Sequence, residues 1–170
     1  MINDTTPLVG ILMGSDSDWE VMKEAGKVLK AFSVPFEMLV TSAHRTPERT
    51  HEYASTAHKR GVRILIVGAG AAAHLAGVVA AISNLPVIGV PLAATDLQGM
   101  DALLSTVQMP GGIPVATMAI GKAGAKNAAL FALRILALGD AAIAGELEKY
   151  KAKMAEEVIL KNERLHLSEI

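Results

Sequence analysis

The chain has 170 residues, of which 51% are hydrophobic and 19% charged, and its formal net charge is −1. This length fits one domain with a substantial core, and the nearly neutral charge excludes a broad basic surface for nucleic acid. The absence of cysteine excludes disulfides, thiolate metal sites and cysteine nucleophiles. No apolar run reaches membrane-spanning length, and the first residues lack the features of a signal peptide. We therefore expect a soluble, cytoplasmic protein.

Short apolar runs alternate with helical patterns along the chain. The runs predict strands over 8–13, 36–40, 62–67, 87–90 and 114–118. The intervening patterns predict helices over 17–32, 46–60, 71–82, 97–107, 123–138 and 141–160. Strands that are apolar throughout are typical of a parallel sheet covered on both faces. With right-handed crossovers, this predicts an α/β fold with a three-layer, doubly wound parallel sheet of flavodoxin-like type.

The division of the chain follows from the same pattern. We expect a single domain over 1–170, with its core over about 7–138 and a C-terminal helical extension over about 141–160. The helix over 125–138 has almost no polar face, and a helix that is apolar all round is buried all round. Another subunit is the expected cover for its second side, so we predict a compact homo-oligomer.

Three polar clusters each follow a predicted strand: Gly14–Asp18, Ser42–Pro47 and Gly68–His74. Open parallel sheets bind ligands beyond the carboxyl ends of their strands. Because all three clusters lie at such ends, we expect them to converge on one crevice.

The first cluster turns from a strand into a helix. A helix start presents free backbone N–H groups suited to a phosphate, and the hydroxyls of Ser15 and Ser17 add hydrogen bonds. The carboxylate of Asp18 suits the hydroxyls of a ribose. The alternative is structural: Ser15 or Ser17 caps the helix, with Glu20 completing a capping box for Ser17, and Asp18 complements the helix dipole.

The second cluster places His44 beside Arg45. Histidine moves protons near neutral pH, and arginine binds a phosphate or carboxylate through two N–H groups. The alternatives are a loop histidine bonded to backbone, an arginine in a surface ion pair and a turn role for Ser42. The compact combination favours an anionic ligand and acid/base chemistry.

The third cluster has the form G-x-G-x-x-A, as in dinucleotide-binding loops. That fingerprint expects an acidic residue about twenty positions later, where this chain has Ile88–Pro91, so we exclude nicotinamide binding. The glycines instead allow a small ligand to approach the backbone. His74 is either a neighbour of the ligand or a structural residue at the helix end. The other histidines suggest no metal site, and the loop 108–114 is either a lid or an ordinary connection.

These motifs together resemble the class I N5-carboxyaminoimidazole ribonucleotide mutases, the family of the phosphoribosylaminoimidazole carboxylase catalytic subunit. The resemblance rests on five stretches spread over nearly the whole chain: Met13–Asp18, Ser42–Pro47, Gly68–Leu75, Gln108–Pro114 and Ala119–Leu130. Two positions depart from the family's usual run Gly-Ala-Gly-Gly-Ala-Ala-His-Leu-Pro-Gly. Ala71 replaces a glycine and Ala76 replaces the proline.

The resemblance implies a cofactor-free, metal-free isomerase of purine biosynthesis that is typically octameric. Its mononucleotide substrate loses a carboxylate from N5 and regains it at C4 of the imidazole. His44 would be the acid/base residue. The residues expected to bind or line the substrate are Ser15, Ser17, Asp18, Ser42, Arg45, Ala69, Gly70, Ala72, His74 and Leu75. The mechanism calls for a small, closed, mostly apolar pocket, with the 68–73 run and the loop 108–114 as candidate walls.

Two alternatives remain at this point. A related class carboxylates aminoimidazole ribonucleotide directly with free CO2, but its motif reads Ser-Ala-His-Lys-Gly-Pro where this chain has Ser42–Pro47. The other alternative is a non-enzymatic nucleotide- or flavin-binding module of similar shape, which has no need of His44.

Overall fold

The computed structural model describes residues 6–168, with side chains to residue 165, and contains one five-stranded sheet. Its strands are β1 (Val9–Met13), β2 (Phe36–Val40), β3 (Ile64–Gly70), β4 (Val87–Leu92) and β5 (Ala116–Thr117). Every pair is parallel, and the order across the sheet is β2-β1-β3-β4-β5. This is the flavodoxin-like order of a doubly wound sheet, so the predicted fold class is confirmed.

The helices alternate with these strands as the sequence predicts. They are α1 (Trp19–Ala31), α2 (Pro47–Thr56), α3 (Leu75–Ile82), α4 (Met100–Val107), α5 (Lys122–Ala137) and α6 (Ala141–Ser168), with 3₁₀ turns at Asp16–Asp18 and Ala57–Arg60. Because β2 and β4 lie on opposite sides of the β1–β3 pair, right-handed crossovers place α1 and α3 on opposite faces of the sheet. Glu24 of α1 and Lys126 of α5 form an ion pair at 3.6 Å.

The core is formed by the central strands. Val9, Ile11, Leu12 and Met13 of β1 are fully buried, and β3 and β4 are buried along almost their whole length. Such strands have no polar face to turn towards water, which is why they occupy the middle of a sheet covered on both sides.

The predicted start of the third helix is wrong by four residues. Pairing with β4 extends β3 to Gly70, level with Leu92. Ala71 then adopts a φ of +54°, which no helix residue has, and α3 begins only at Leu75. The apolar run 71–74 resembles a helix in composition, but its backbone is a tight turn.

The expectation that the helix over 125–138 is buried all round is not met in the single chain. Ala125, Ala128 and Ala132 are fully buried, whereas Phe131 is 38% exposed and Leu138 is 89% exposed. The helix therefore has one covered face and one uncovered face.

The chain divides into two compact units, residues 1–132 and 133–170. In the second unit, α6 begins after Asp140, whose Oδ1 accepts hydrogen bonds from the backbone N–H groups of Ala142 and Ile143 at 2.9 and 3.2 Å. The helix continues to Ser168, eight residues beyond the predicted end. In the described residues, no helix is both long and apolar enough to cross a membrane.

Gly124 offers a direct test of the packing at the start of α5. A Cβ at this position would overlap the carbonyl oxygen of Ala119, a backbone atom that cannot swing away. We expect Gly124→Ala to lower the free energy of unfolding by about 3 kcal/mol, as overpacking does, in denaturant titrations. Gly145→Ala is the matched control, because it is also helical and meets nothing within 4 Å. It should gain up to about 1 kcal/mol from helix propensity. Equal effects at the two sites would contradict this packing.

Candidate active site

The candidate site lies where the strand order reverses. The connections that follow β1 and β3 leave towards opposite faces of the sheet at this point, as they do in ligand-binding crevices of doubly wound sheets. A cavity of about 320 Å³ occupies the crevice, and we call it the main cavity. Its walls come from the last residues of β3 and from the segments that follow β1, β2, β3 and β4. The lining residues are Gly14, Ser15, Ser17, Asp18, Ser42, Ala43, His44, Arg45, Ala69, Gly70, Ala71, Ala72, His74, Leu75 and Ala94.

The turn after β1 is held by a capping box between Ser15 and Asp18. The backbone N–H of Ser17 donates to Ser15 Oγ at 3.4 Å, and the backbone N–H of Ser15 donates to Asp18 Oδ2 at 3.0 Å. The predicted alternative, a box between Ser17 and Glu20, is wrong because the Glu20 carboxylate pairs with Lys23. The box aims the Asp18 carboxylate at the cavity.

Asp18 is 8% exposed, which is unusual for a carboxylate. Loss of solvation is the largest influence on this group and raises its pKa above the usual value. The hydrogen bond from Ser15 and the charge of Arg45 act in the opposite direction without cancelling it. Asp18 is thus a hydrogen-bond acceptor kept in the crevice at some cost to the fold.

The loop after β2 is fastened by hydroxyl groups. Ser42 N–H donates to Thr46 Oγ1 at 2.9 Å, while Ser42 Oγ accepts from the backbone N–H groups of His44 and Arg45 at 3.3 and 3.1 Å. Beneath them, the buried hydroxyls of Thr41 and Thr50 hydrogen-bond at 2.8 Å. Thr46 precedes α2 as predicted, but its hydroxyl binds the loop rather than the first-turn N–H groups. The loop therefore holds the backbone of two candidate site residues in one conformation.

Two imidazoles meet across the main cavity. His44 Nε2 and His74 Nδ1 are 2.9 Å apart, and the rings stand edge to face with centroids at 5.0 Å. One nitrogen of each ring is therefore engaged, as donor in one and acceptor in the other. His74 is therefore in direct contact with the proposed acid/base residue and also precedes α3, so its role at the ligand stays a prediction.

Arg45 also lines the main cavity. Its Nη2 donates to the carbonyl oxygen of Gly14 at 3.2 Å, which ties the β2 loop to the β1 turn. One N–H of the guanidinium is used in this way, and a guanidinium has five.

Comparison with known proteins agrees with this architecture, since the AIR carboxylase family model matches residues 8–157. The chain belongs to the AIR carboxylase family. It is 59% identical to N5-carboxyaminoimidazole ribonucleotide mutase of Pyrococcus abyssi (strain GE5 / Orsay), over 91% of this chain and 87% of that protein. It is 54% identical to the mutase of Bacillus subtilis (strain 168), over 94% and 98%. The crystal structure of Treponema denticola PurE matches with a TM-score of 0.85 and 31% identity, over 94% and 98%.

All the site residues predicted from the sequence line the main cavity of this AIR carboxylase family member, although their individual roles stay predictions. Sequence reasoning missed Ala94. A Cβ on Gly70 would lie 2.5 Å from the Cβ of Ala94, so the glycine allows the segment after β4 to close in. The available signal was the fourth strand end itself, since the strand runs to Leu92 instead of the predicted Val90.

The predicted closed pocket is not formed by the described residues of one chain. Both His44 and His74 are exposed, and the loop 108–114 does not line the main cavity. Met109 of that loop instead lies close to Gly77 of α3. The described residues also contain no group of three or more His, Asp or Glu side chains placed to hold a metal ion.

Ala71 stands where the family usually has a glycine, and its backbone adopts a conformation that favours glycine. Its φ of +54° lies in the left-handed region, where a side chain costs about 1–2 kcal/mol. The turn is kept although the residue is less suited to it. Ala76, the other departure, lies in the first turn of α3, and its small side chain is buried.

The raised pKa of Asp18 predicts a gain in stability on its neutralisation. A carboxyl whose pKa is raised in the folded state favours folding when protonated. That contribution is complete below about pH 3.8 and is lost as pH rises through the raised value. We expect Asp18→Asn to melt at a higher temperature than the parent at pH 7, with the difference shrinking towards pH 4. Asp16→Asn, at an exposed position of the same turn, is the control. A lower melting temperature for Asp18→Asn at pH 7 would contradict this reading.

Proposed function

We propose that this chain is an N5-carboxyaminoimidazole ribonucleotide mutase, an isomerase of purine biosynthesis. The observation that carries the proposal is the His44–His74 pair, 2.9 Å apart, in a cavity that also presents Asp18 and Arg45. Relatives that carry this name are 54% and 59% identical over nine-tenths of the chain. A binding module of the same shape would need no such pair.

The polar groups of the cavity suit a ribonucleotide. Arg45 offers a guanidinium to the phosphate, and charge-assisted bonds of this kind are among the strongest in proteins. Asp18 accepts hydrogen bonds from ribose hydroxyls, while Ser15, Ser17 and Ser42 supply hydroxyl groups beside them. These anchors bind the phosphate and the ribose, so they position the ring without taking part in the chemistry.

His44 carries the proton through the reaction. Protonated His44 gives a proton to N5, the N5–carboxylate bond breaks, and CO2 leaves from the amine. The enamine-like C4 then attacks the same CO2, and neutral His44 takes the proton from C4 to restore aromaticity. One proton is given and one is recovered, so no cofactor has to balance the cycle. His74 holds the imidazole in place through its hydrogen bond, and acid/base catalysis of this kind contributes about 10²–10⁴-fold.

The released CO2 has to stay beside C4 between the two steps, where its effective concentration is high. The small side chains of Ala69, Ala71 and Ala72 provide an apolar wall. The exposed imidazoles mean that a further cover is required. We therefore include a homo-octamer in the proposal, with the cover coming from another subunit. An uncovered stripe at helical spacing supports it: Leu97, Met100, Leu104 and Val107 are each about half exposed or more. A cytoplasmic location is the last part of the proposal, since the substrate is a small phosphorylated metabolite.

Turnover assays test the proposed reaction. We expect the purified protein to convert N5-carboxyaminoimidazole ribonucleotide to the C4-carboxylated isomer without bicarbonate. Aminoimidazole ribonucleotide with bicarbonate should be a much poorer substrate pair. The opposite preference would identify the carboxylase that uses free CO2, and no conversion of either nucleotide would leave the binding-module alternative.

Replacement of the acid/base residue gives a second prediction. His44→Asn keeps a polar side chain but cannot exchange the proton, so we expect kcat to fall by at least about 10²–10⁴-fold. Nucleotide binding by calorimetry and the sedimentation coefficient should stay nearly unchanged. His51→Asn, on the exposed side of α2, is the matched control and should keep full activity. Substantial turnover in the His44 variant would refute the assignment.

A further inference from the structure

A second cavity adjoins the main cavity on the other side of Arg45. It has about 350 Å³ and lies beyond the ends of β1 and β2. Gly14, Ser15, Ser42 and Arg45 line both cavities, so the two cavities share one wall that includes Arg45. Arg49 lines this second cavity, which we call the side cavity, but not the main one.

The two cavities differ in charge. The main cavity is lined by the Asp18 carboxylate and Arg45, whereas the side cavity is lined by Arg45 and Arg49 with Asp16 as its one carboxylate. Asp16 Oδ1 accepts from Ser15 Oγ at 3.1 Å and from the backbone N–H of Ser17 at 3.0 Å. Its charge is thus partly satisfied within its own turn. An anion is better placed in the side cavity, and a neutral group with hydroxyls is better placed beside Asp18.

Arg49 is also a cation without a structural partner. Among the described residues, the side chain of Arg49 forms neither an ion pair nor a hydrogen bond. By contrast, Arg60, in the 3₁₀ turn that follows α2, pairs with Glu37 at 2.8 Å. Arg49 lies in the first turn of α2, where the helix dipole is unfavourable to a cation. An anionic ligand would relieve both conditions.

We propose that Arg49 is a second phosphate-binding residue and that the side cavity is the phosphate subsite. This inference rests on the proposed mononucleotide substrate. The phosphate lies between Arg45 and Arg49, the ribose beside Asp18, and the imidazole against His44. A phosphate monoester carries between one and two negative charges near neutral pH, so a single guanidinium leaves part of the charge uncompensated.

The test compares Arg49→Gln with the parent enzyme. We expect KM for the nucleotide to rise about tenfold, the size expected for one charge-assisted hydrogen bond, with kcat within twofold. The dissociation constant of ribose 5-phosphate, measured by calorimetry, should rise by the same factor. Arg49→Lys should recover part of the loss, because it restores the charge but not the two-pronged geometry.

Arg63→Gln is the matched control, since it removes the same charge from an exposed position just before β3, at the amino ends of the strands and away from both cavities. It should change neither constant. Unchanged KM and ribose 5-phosphate affinity in Arg49→Gln, in an enzyme that turns over normally, would overturn the subsite and leave the proposed reaction intact. Loss of kcat at constant KM would also overturn it. Arg49-dependent binding of ribose 5-phosphate by a protein without mutase activity would instead count against the reaction alone.

Discussion

The site depends on the pairing of β1 with β2 on one side and with β3 on the other. Met13, the last residue of β1, is level with Val40 and Gly68, so the loops after β1 and β2 begin at the same height, and β3 continues two residues further to Gly70. A shift of one residue in either pairing would displace a loop by about 3.3 Å along the strand. That is more than the 2.9 Å hydrogen bond between His44 and His74 could absorb. The buried apolar strands therefore set the geometry of the chemistry.

Within this frame, the chain uses few charges and places them selectively. With a net charge of −1, it has no long-range field that would attract an anionic metabolite. Recognition depends on local groups instead: a carboxylate whose ionisation the fold opposes, and two arginines without carboxylate partners. The burial of the carboxylate opposes folding, and the two arginines gain no stabilisation from an ion pair. Ligand contacts at these positions add affinity, because no ion pair within the protein has to be broken first.

Sequence reasoning predicted the order of all the described strands and α-helices but not the two 3₁₀ turns, because apolar strands separated by helical patterns leave little choice of fold. It also identified the residues after β1, β2 and β3 that line the main cavity. Two of its errors originate in contacts between distant segments. The helix start at Leu75 depends on the pairing of β3 with β4, and the role of Ala94 depends on its approach to Gly70. The competition between Ser15 and Ser17 as cap is settled by which carboxylate lies within reach, and that is Asp18.

The remaining discrepancy concerns closure, and it bears on how the protein works. A chain that is 51% hydrophobic leaves apolar side chains uncovered on α4 and α6, such as Leu104, Val158 and Ile159. It also leaves both imidazoles of the site exposed. Charged anchors hold a nucleotide in an open crevice, but they have no hold on a neutral molecule such as CO2. Retention of CO2 requires a physical barrier, and a second subunit packed on the uncovered apolar surfaces would supply one. Assembly and catalysis would then be coupled through closure of the site, not through any change in the proton-carrying residues.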